Sequence, residues 1–285
     1  MSDVRTDELT GATVVMAGSR QQRPNRPSAA CPFCVGGTEA PDDYDVRAFV
    51  NRWPSFPDDR CEVVLYTPEH DLTFPELGRE GARKVVELWT SRTEALGARP
   101  DVAYVLVFEN RGEEVGATIA HPHGQIFAYD HVPDGPLAEL RRAARGDCTL
   151  CSRPERALIV AETATWSAWV PAASAYPYGL VLAPDVHRPD LPALDAPQRD
   201  DLAELLVDVL ARLDRLFDAP LPYMLWIHQR PTDGGAWPEA HVHVHVVSPM
   251  RSPRVQRYVA AAELGSGEFV NPVVPEDAAA ALREA

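Results

Sequence analysis

The sequence contains no run of about 18 apolar residues, the length that a membrane-crossing helix needs. Its opening stretch, MSDVRTDELTG, is polar and holds no apolar core of the kind a secretory signal carries. Neither membrane spanning nor secretion is expected, and the expected location is cytoplasmic. Positive charge is also scarce: 27 Lys and Arg stand against 42 Asp and Glu, a net charge of −15 at pH 7. That balance excludes a broad basic face for gripping nucleic acid, so any phosphate ligand must be met by a few local cations. Cysteine is sparse as well. Of the five present, four form two CxxC pairs, Cys31/Cys34 and Cys148/Cys151, and Cys61 stands alone. In a reducing compartment such a pair reads as a metal clip or a redox site rather than a structural disulfide.

What is present is an ordinary globular composition, 45% hydrophobic and 24% charged, over 285 residues. That length suits one large domain or two of about 140 residues. Proline, 27 residues, is well above the usual ~5% of a chain and implies many turns between short elements.

The chain repeats itself. Reading forward from each CxxC pair gives a strand-like run ending in His, CEVVLYTPEH (61–70) and then YGLVLAPDVH (178–187). Thirty-six residues separate Cys34 from His70, and as many separate Cys151 from His187. Apolar positions at helical spacing follow at 79–97 and 196–218, then strands at 104–112 and 223–231. Finally AHPHGQIF (120–127) lies over AHVHVHVV (240–247), matching His121 to His241 and His123 to His243. Two tandem α+β units are the simplest account. The expected division is 1–135 and 136–285, with a helix near 136–145 joining the halves.

Each half offers a Cys₂His₂ set suited to tetrahedral zinc: Cys31, Cys34, His70 and His121, then Cys148, Cys151, His187 and His241. The alternatives are buried free thiols or a thioredoxin-like redox pair. A redox pair belongs at the start of a helix, whereas CPFCVGG runs into glycines. On a strand, His121 and His123 share one face, with Pro122 and Gly124 opposite. A metal on His121 then presents His123 rigidly to a neighbouring pocket, where an imidazole with one nitrogen tied to a carbonyl offers the other as a nucleophile. Gly124 reads as room for a ligand to approach, and Gln125 as a neutral amide donor for a phosphoryl oxygen. Against this stands the reading of His123 as a core or second-layer histidine.

The segment FENRGEEVGATIAHPHGQIFA (108–128) resembles the active-site stretch of the galactose-1-phosphate uridylyltransferases, members of the histidine-triad superfamily. The resemblance extends in order through SRQQRP (19–24), CPFC, FVNRW (49–53), YTPEHDLTFPEL (66–77), MLWIHQRP and HVHVHVVSP, which is nearly the whole chain. It implies two histidine-triad-like units, each a mostly antiparallel sheet with a long helix, forming one extended sheet. It also implies a double displacement in which His123 takes a nucleotidyl group from a nucleotide sugar and passes it to a sugar 1-phosphate or to phosphate. Gln125, where histidine-triad hydrolases carry a third His, then favours transfer over hydrolysis.

By the same resemblance Arg20 and Arg23 contact phosphate, Phe49 and Asn51 the nucleotide, and Asn110 a phosphate or the ribose. Thr118 replaces a serine that faces the phosphates. Glu139, His228, His243 and His245 match a further metal set, for iron(II) or zinc. Zinc in the first Cys₂His₂ set and a second zinc in the other are implied, the latter resembling a plant adenylyl-sugar phosphorylase. Ala262 stands where an aromatic precedes Glu263, which leaves the hexose open, and the ADP-sugar phosphorylase reading stays open beside it. A homodimer is implied, with Arg257 and Glu263 reaching towards the neighbour. The rival reading is a histidine-triad nucleotide hydrolase working through His243, for which HVHVHVV fits the pattern.

Overall fold

The computed structural model describes residues 3–22, 30–146, 148–152 and 154–285. Among them, nine strands form one sheet: β1 (Arg47–Val50), β2 (Cys61–Leu65), β3 (Tyr104–Arg111), β4 (His123–Tyr129), β5 (Ile159–Glu162), β6 (Trp166–Trp169), β7 (Tyr178–Pro184), β8 (Tyr223–His228) and β9 (His243–Ser248). Their order is β1-β2-β4-β3-β8-β9-β7-β6-β5, and every neighbouring pair is antiparallel. Outward from the centre, β3-β4-β2 on one side mirrors β8-β9-β7 on the other. The sequence repeat has thus become a pseudo-twofold axis running between β3 and β8.

The long helices are α1 (Gly78–Gly97) and α3 (Ala196–Leu216), linked to the rest by α2 (Asp134–Ala143) and followed by α4 (Ala261–Ser266) and α5 (Pro275–Glu284). Helices α1, α2 and α3 lie within two residues of the expected spans, whereas α4 and α5 were not expected. Helix α3 starts sharply because Asp195 and Gln198 form a reciprocal capping box, with Pro197 in the first turn. Helices α1 and α3 pack on each other and on one face of the sheet, where Val105, Val107, Ile126, Leu225, Ile227, Val244 and Val246 bury against Val85, Trp89, Leu206 and Leu210. At about 25 cal/mol per Å² of apolar area, this shared core is the main stabilising term, and it is common to both halves. No helix among the described residues is long and apolar enough to cross a membrane.

Burial along β4 alternates: Gly124, Ile126 and Ala128 are buried under the helices, while His123, Gln125, Phe127 and Tyr129 face the other way. Along β3, Leu106, Phe108 and Asn110 share that second face. The face of the sheet opposite α1 and α3 therefore carries the chemistry. His121 precedes β4 rather than belonging to it, so its ring is aimed by the approach to the strand and not by strand alternation.

Candidate active site and metal centres

His123 opens β4 opposite Leu65 of β2. Its Nδ1 donates to the carbonyl of His121 at 2.7 Å, which fixes the tautomer and puts the lone pair on Nε2. The edge of Phe33, 5.1 Å away between centroids, packs on the ring. His123 lines a cavity of about 310 Å³ together with His70, Asp71, Asn110, Thr118, His121 and Arg111. Three residues expected to serve the same reaction, His123, Asn110 and Thr118, thus meet at one opening.

Gln125 lies two residues further along the same face. Asn51, just past β1, has its amide orientation fixed because its Oδ1 accepts from the Trp53 backbone N–H at 2.8 Å. Its Nδ2 therefore donates to Gln125 Oε1, at 3.3 Å, and the Gln125 amide keeps its N–H bonds for another acceptor. Phe49 packs edge-on against Phe33 at 6.0 Å, within a small apolar cluster that also holds Val63, Leu65 and Ile119. Phe33 was not legible as a site residue, although its place inside CPFC, between two ligands, is a signal in hindsight.

Arg20 sits in a short 3-10 turn, Gly18–Gln22, with its guanidinium bonded to Ser55 Oγ. Arg23 lies outside the described residues. Arg257 and Glu263 are both buried and pair with each other, and Glu263 also accepts from the backbone N–H groups of Ala260 and Val270. Neither lines the His123 cavity.

Three sets of side chains converge so that their ligand atoms lie within 4.8 Å of one another. In the first, Cys34 Sγ is 3.4 Å from His70 Nδ1 and 3.7 Å from His121 Nδ1. In the second, Cys148 Sγ is 3.3 Å from His241 Nδ1, and Cys151 Sγ is 3.4 Å from His187 Nδ1 and 3.6 Å from His241 Nδ1. Tetrahedral zinc with ordinary bond lengths places sulfur and nitrogen ligands about 3.6 Å apart, so both sets fit. The far nitrogens of the deeper histidines are oriented alike: His121 Nε2 faces the Thr67 carbonyl at 2.8 Å and His241 Nε2 the Pro184 carbonyl at 3.2 Å, as metal-bound imidazoles require. Tyr44 adds a hydroxyl that donates to Phe33 O at 2.7 Å and lies 3.0 Å from both His121 Nε2 and Thr67 O. Burial lowers the pKa of His121 and brings that of His241 to about 4, keeping both neutral and ready to ligate. Desolvation, then the adjacent Cys148, pushes the thiol of the exposed Cys151 up to about 11, a shift that a bound cation would reverse.

The third set joins α2 to the second half. Glu139 Oε2 is 2.7 Å from His228 Nδ1 and 3.2 Å from His243 Nε2. His245 Nε2, buried and without a hydrogen-bond partner, stops 3.7 Å from Glu139 Oε1. An orphaned buried nitrogen aimed at a shared carboxylate suits a cation. Burial pushes the Glu139 carboxyl up, but the hydrogen bonds from His228 and His243 outweigh it and hold the group well below the usual carboxylate range. The three sets share no residue, so all can be filled at once.

His243 repeats the arrangement of His123, donating from Nδ1 to His241 O at 2.8 Å. Its Nε2, however, faces Glu139. The nitrogen that would attack phosphorus in the second half is thus already turned onto a carboxylate.

Residues 52–133 match the model of the galactose-1-phosphate uridyl transferase N-terminal domain, and residues 118–285 match that of its C-terminal domain. A galactose-1-phosphate uridylyltransferase of Thermotoga maritima is 34% identical over 100% of this chain and 98% of its own length. One from Streptomyces lividans is 39% identical over 81% of this chain and 70% of its own. A solved uridylyltransferase structure superposes with a TM-score of 0.91 at 29% identity, covering 100% of this chain and 98% of the other. An Arabidopsis thaliana ADP-glucose phosphorylase shares the fold, with a TM-score of 0.81 at 24% identity over 100% of this chain and 99% of its own. With family models matching residues 52–285 and a relative 34% identical over the whole chain, this protein belongs to the galactose-1-phosphate uridylyltransferase family.

Proposed function

We propose that the chain is a UDP-glucose–hexose-1-phosphate uridylyltransferase working through a uridylyl–His123 intermediate. The observation that carries this reading is the His123 ring, on the wall of a cavity with its proton committed to the His121 carbonyl. Nε2 of His123 attacks the α-phosphorus of the nucleotide sugar. The P–N bond forms as the P–O bond to the sugar 1-phosphate breaks, and the leaving group departs as a phosphate anion. A phosphate oxygen of the second hexose 1-phosphate then attacks the same phosphorus and the P–N bond breaks. Imidazole suits both steps because it is nucleophile and leaving group in turn.

Gln125, oriented by Asn51, donates to a non-bridging oxygen without delivering a proton to the leaving group. Asn110 and Thr118 hold the phosphates, Phe49 and Asn51 the nucleoside, and Arg20 and Arg23 supply positive charge for the phosphates. Zinc is the natural occupant of both Cys₂His₂ sets, and zinc or iron(II) of the Glu139 set. Bound at the first, it would hold Cys31, Cys34, His70 and His121 together and so fix the base on which His123 stands. The chain is read as a cytoplasmic homodimer of two histidine-triad-like halves, 1–135 and 136–285, with the exposed Tyr258, Leu264, Phe269 and Val270 as its contact surface. Arg257 and Glu263 then shape that surface through their mutual pair. Hydrolysis through His243 is disfavoured by the carboxylate facing its Nε2.

The test is intact-mass analysis after mixing the protein with UDP-glucose and no acceptor. The chain should gain one uridylyl group, lose it on addition of galactose 1-phosphate, and fail to gain it as His123→Gly, with turnover down by at least about a thousandfold. The gain should persist in His243→Ala. Labelling that depends on His243, or that occurs with ADP-glucose and is discharged by phosphate instead, would overturn the reading.

A further inference from the structure

We propose that Glu109 is a positioning residue for the transfer step, holding the two strands that present His123 and Asn110 in register through Tyr223 and Tyr66; the inference rests on the transferase reading above. Glu109 lies on β3 between Phe108 and Asn110. Alternation sends those two neighbours to the open face and Glu109 inward, where it is 5% exposed among aromatic side chains. A carboxyl so placed is expensive unless it is used.

Its uses run in two directions. Oε1 accepts from the Tyr223 hydroxyl at 2.6 Å. Tyr223 begins β8, so this bond crosses the seam between the halves. The Arg111 guanidinium lies over the Tyr223 ring at 5.5 Å and pairs with Asp214 of α3 at 2.9 Å, which fixes that ring from its other side. In the second direction Glu109 neighbours the Tyr66 hydroxyl, and because that hydroxyl and Glu109 Oε2 are both buried without a hydrogen-bond partner, the contact between them is one of packing. Tyr66 follows β2, its ring held edge-on against Phe74 at 5.5 Å and Trp89 at 5.8 Å. Its backbone N–H donates to the Pro122 carbonyl at 3.3 Å. Its hydroxyl lies so close beneath Gly124 that a Cβ there would collide with it. Pro122 and Gly124, the two neighbours of His123, therefore both rest on Tyr66. One buried carboxyl thus joins the two sides of the reactive cavity, at whose inner edge Glu109 itself lies.

A shift of His123 by about 1 Å from the in-line position is enough to lose on the order of a hundredfold in rate. The experiment measures the rate of uridylyl–His123 formation, by quenched-flow mass analysis of the full-length, metal-loaded protein over a range of UDP-glucose concentrations. Glu109→Ala should slow adduct formation at saturation by about tenfold or more, with the half-saturating concentration within about threefold of wild type and metal content unchanged. Glu109→Gln, which keeps the shape of the side chain and an acceptor for the Tyr223 hydroxyl, should restore the rate to within about threefold. Tyr223→Phe, which removes only the hydroxyl, should slow the step and decides the matter if the alanine variant does not fold. A folded Glu109→Ala that labels at the wild-type rate, or a loss confined to half-saturation, would overturn the proposal alone. A wild-type chain that never labels would overturn the transferase reading and this inference with it.

Discussion

The donation from His123 Nδ1 to the His121 carbonyl makes the preceding backbone part of the nucleophile, because moving that carbonyl would move the ring. The same economy governs Gly124. Its lack of a side chain reads in the sequence as space for a ligand, yet its missing Cβ points inward, where the Tyr66 hydroxyl occupies the space. The residue type is required as expected, for a reason on the opposite face. Glu109 gives the residue scale its clearest test. Burial pushes its carboxyl up to about 7, against opposing interactions with Tyr223, Tyr66 and Arg111. The folded state therefore binds this proton more tightly than the unfolded chain, whose Glu titrates near 4.3. The associated stability is fully present below about pH 4.3 and is lost as pH rises through about 7. Wild type should lose on the order of 3 kcal/mol relative to Glu109→Gln between those limits, and nothing further above them. Urea denaturation of both proteins from pH 4.5 to 8.5 checks this. A constant difference across the range would show that Glu109 ionises as readily in the fold as outside it.

At the scale of elements, what the sequence reveals follows from how local its signals are. The spans of α1 and α3 were legible because caps, prolines and apolar spacing are local, and the capping box of Asp195 and Gln198 stands where the pattern begins. The Cys₂His₂ sets were legible because the repeat places four ligands twice in the same order. The roles of Tyr66 and Glu109 were not, since they depend on contacts between β2, β3 and β8 that no spacing encodes. Nor does the pattern reveal that Arg257 and Glu263 bind each other. The ligand sets also tie elements together. The first clamps the Cys31–Cys34 turn to the end of β2 and the approach to β4, while the second does the same for β7 and β9. Because the sets share no ligand, Cys34→Ser and Cys151→Ser should each remove one equivalent of metal per chain by elemental analysis. Each should also lower Tm by about 5 °C or more, since metal binding to a folded site is folding free energy. Loss of two equivalents from either single variant would contradict their independence.

The whole molecule is organised around the β3–β8 seam. Strands β3 and β8 pair in register from Tyr223 with Arg111 to Ile227 with Val107. On the helix side the seam is covered by α1 packed against α3, one helix from each half. On the open side α2, which follows the first half, sends Glu139 onto His228 and His243 of the second. Neither half therefore owns a complete core. Cutting the chain would turn β3 and β8 into unpaired edges carrying Val105, Val107, Leu225 and Ile227, which are buried in the intact fold. Residues 1–145 and 146–285 expressed separately should each be aggregated or lack a cooperative thermal transition, while refolding the two together should recover a one-to-one complex. The exposed Arg145–Gly146 connection makes the cut harmless in itself. Calorimetry and light scattering on the fragments and on the mixture decide it. A monomeric fragment that melts cooperatively alone would mean that the repeat marks two self-sufficient domains, and that the seam is an interface between them rather than the centre of one core.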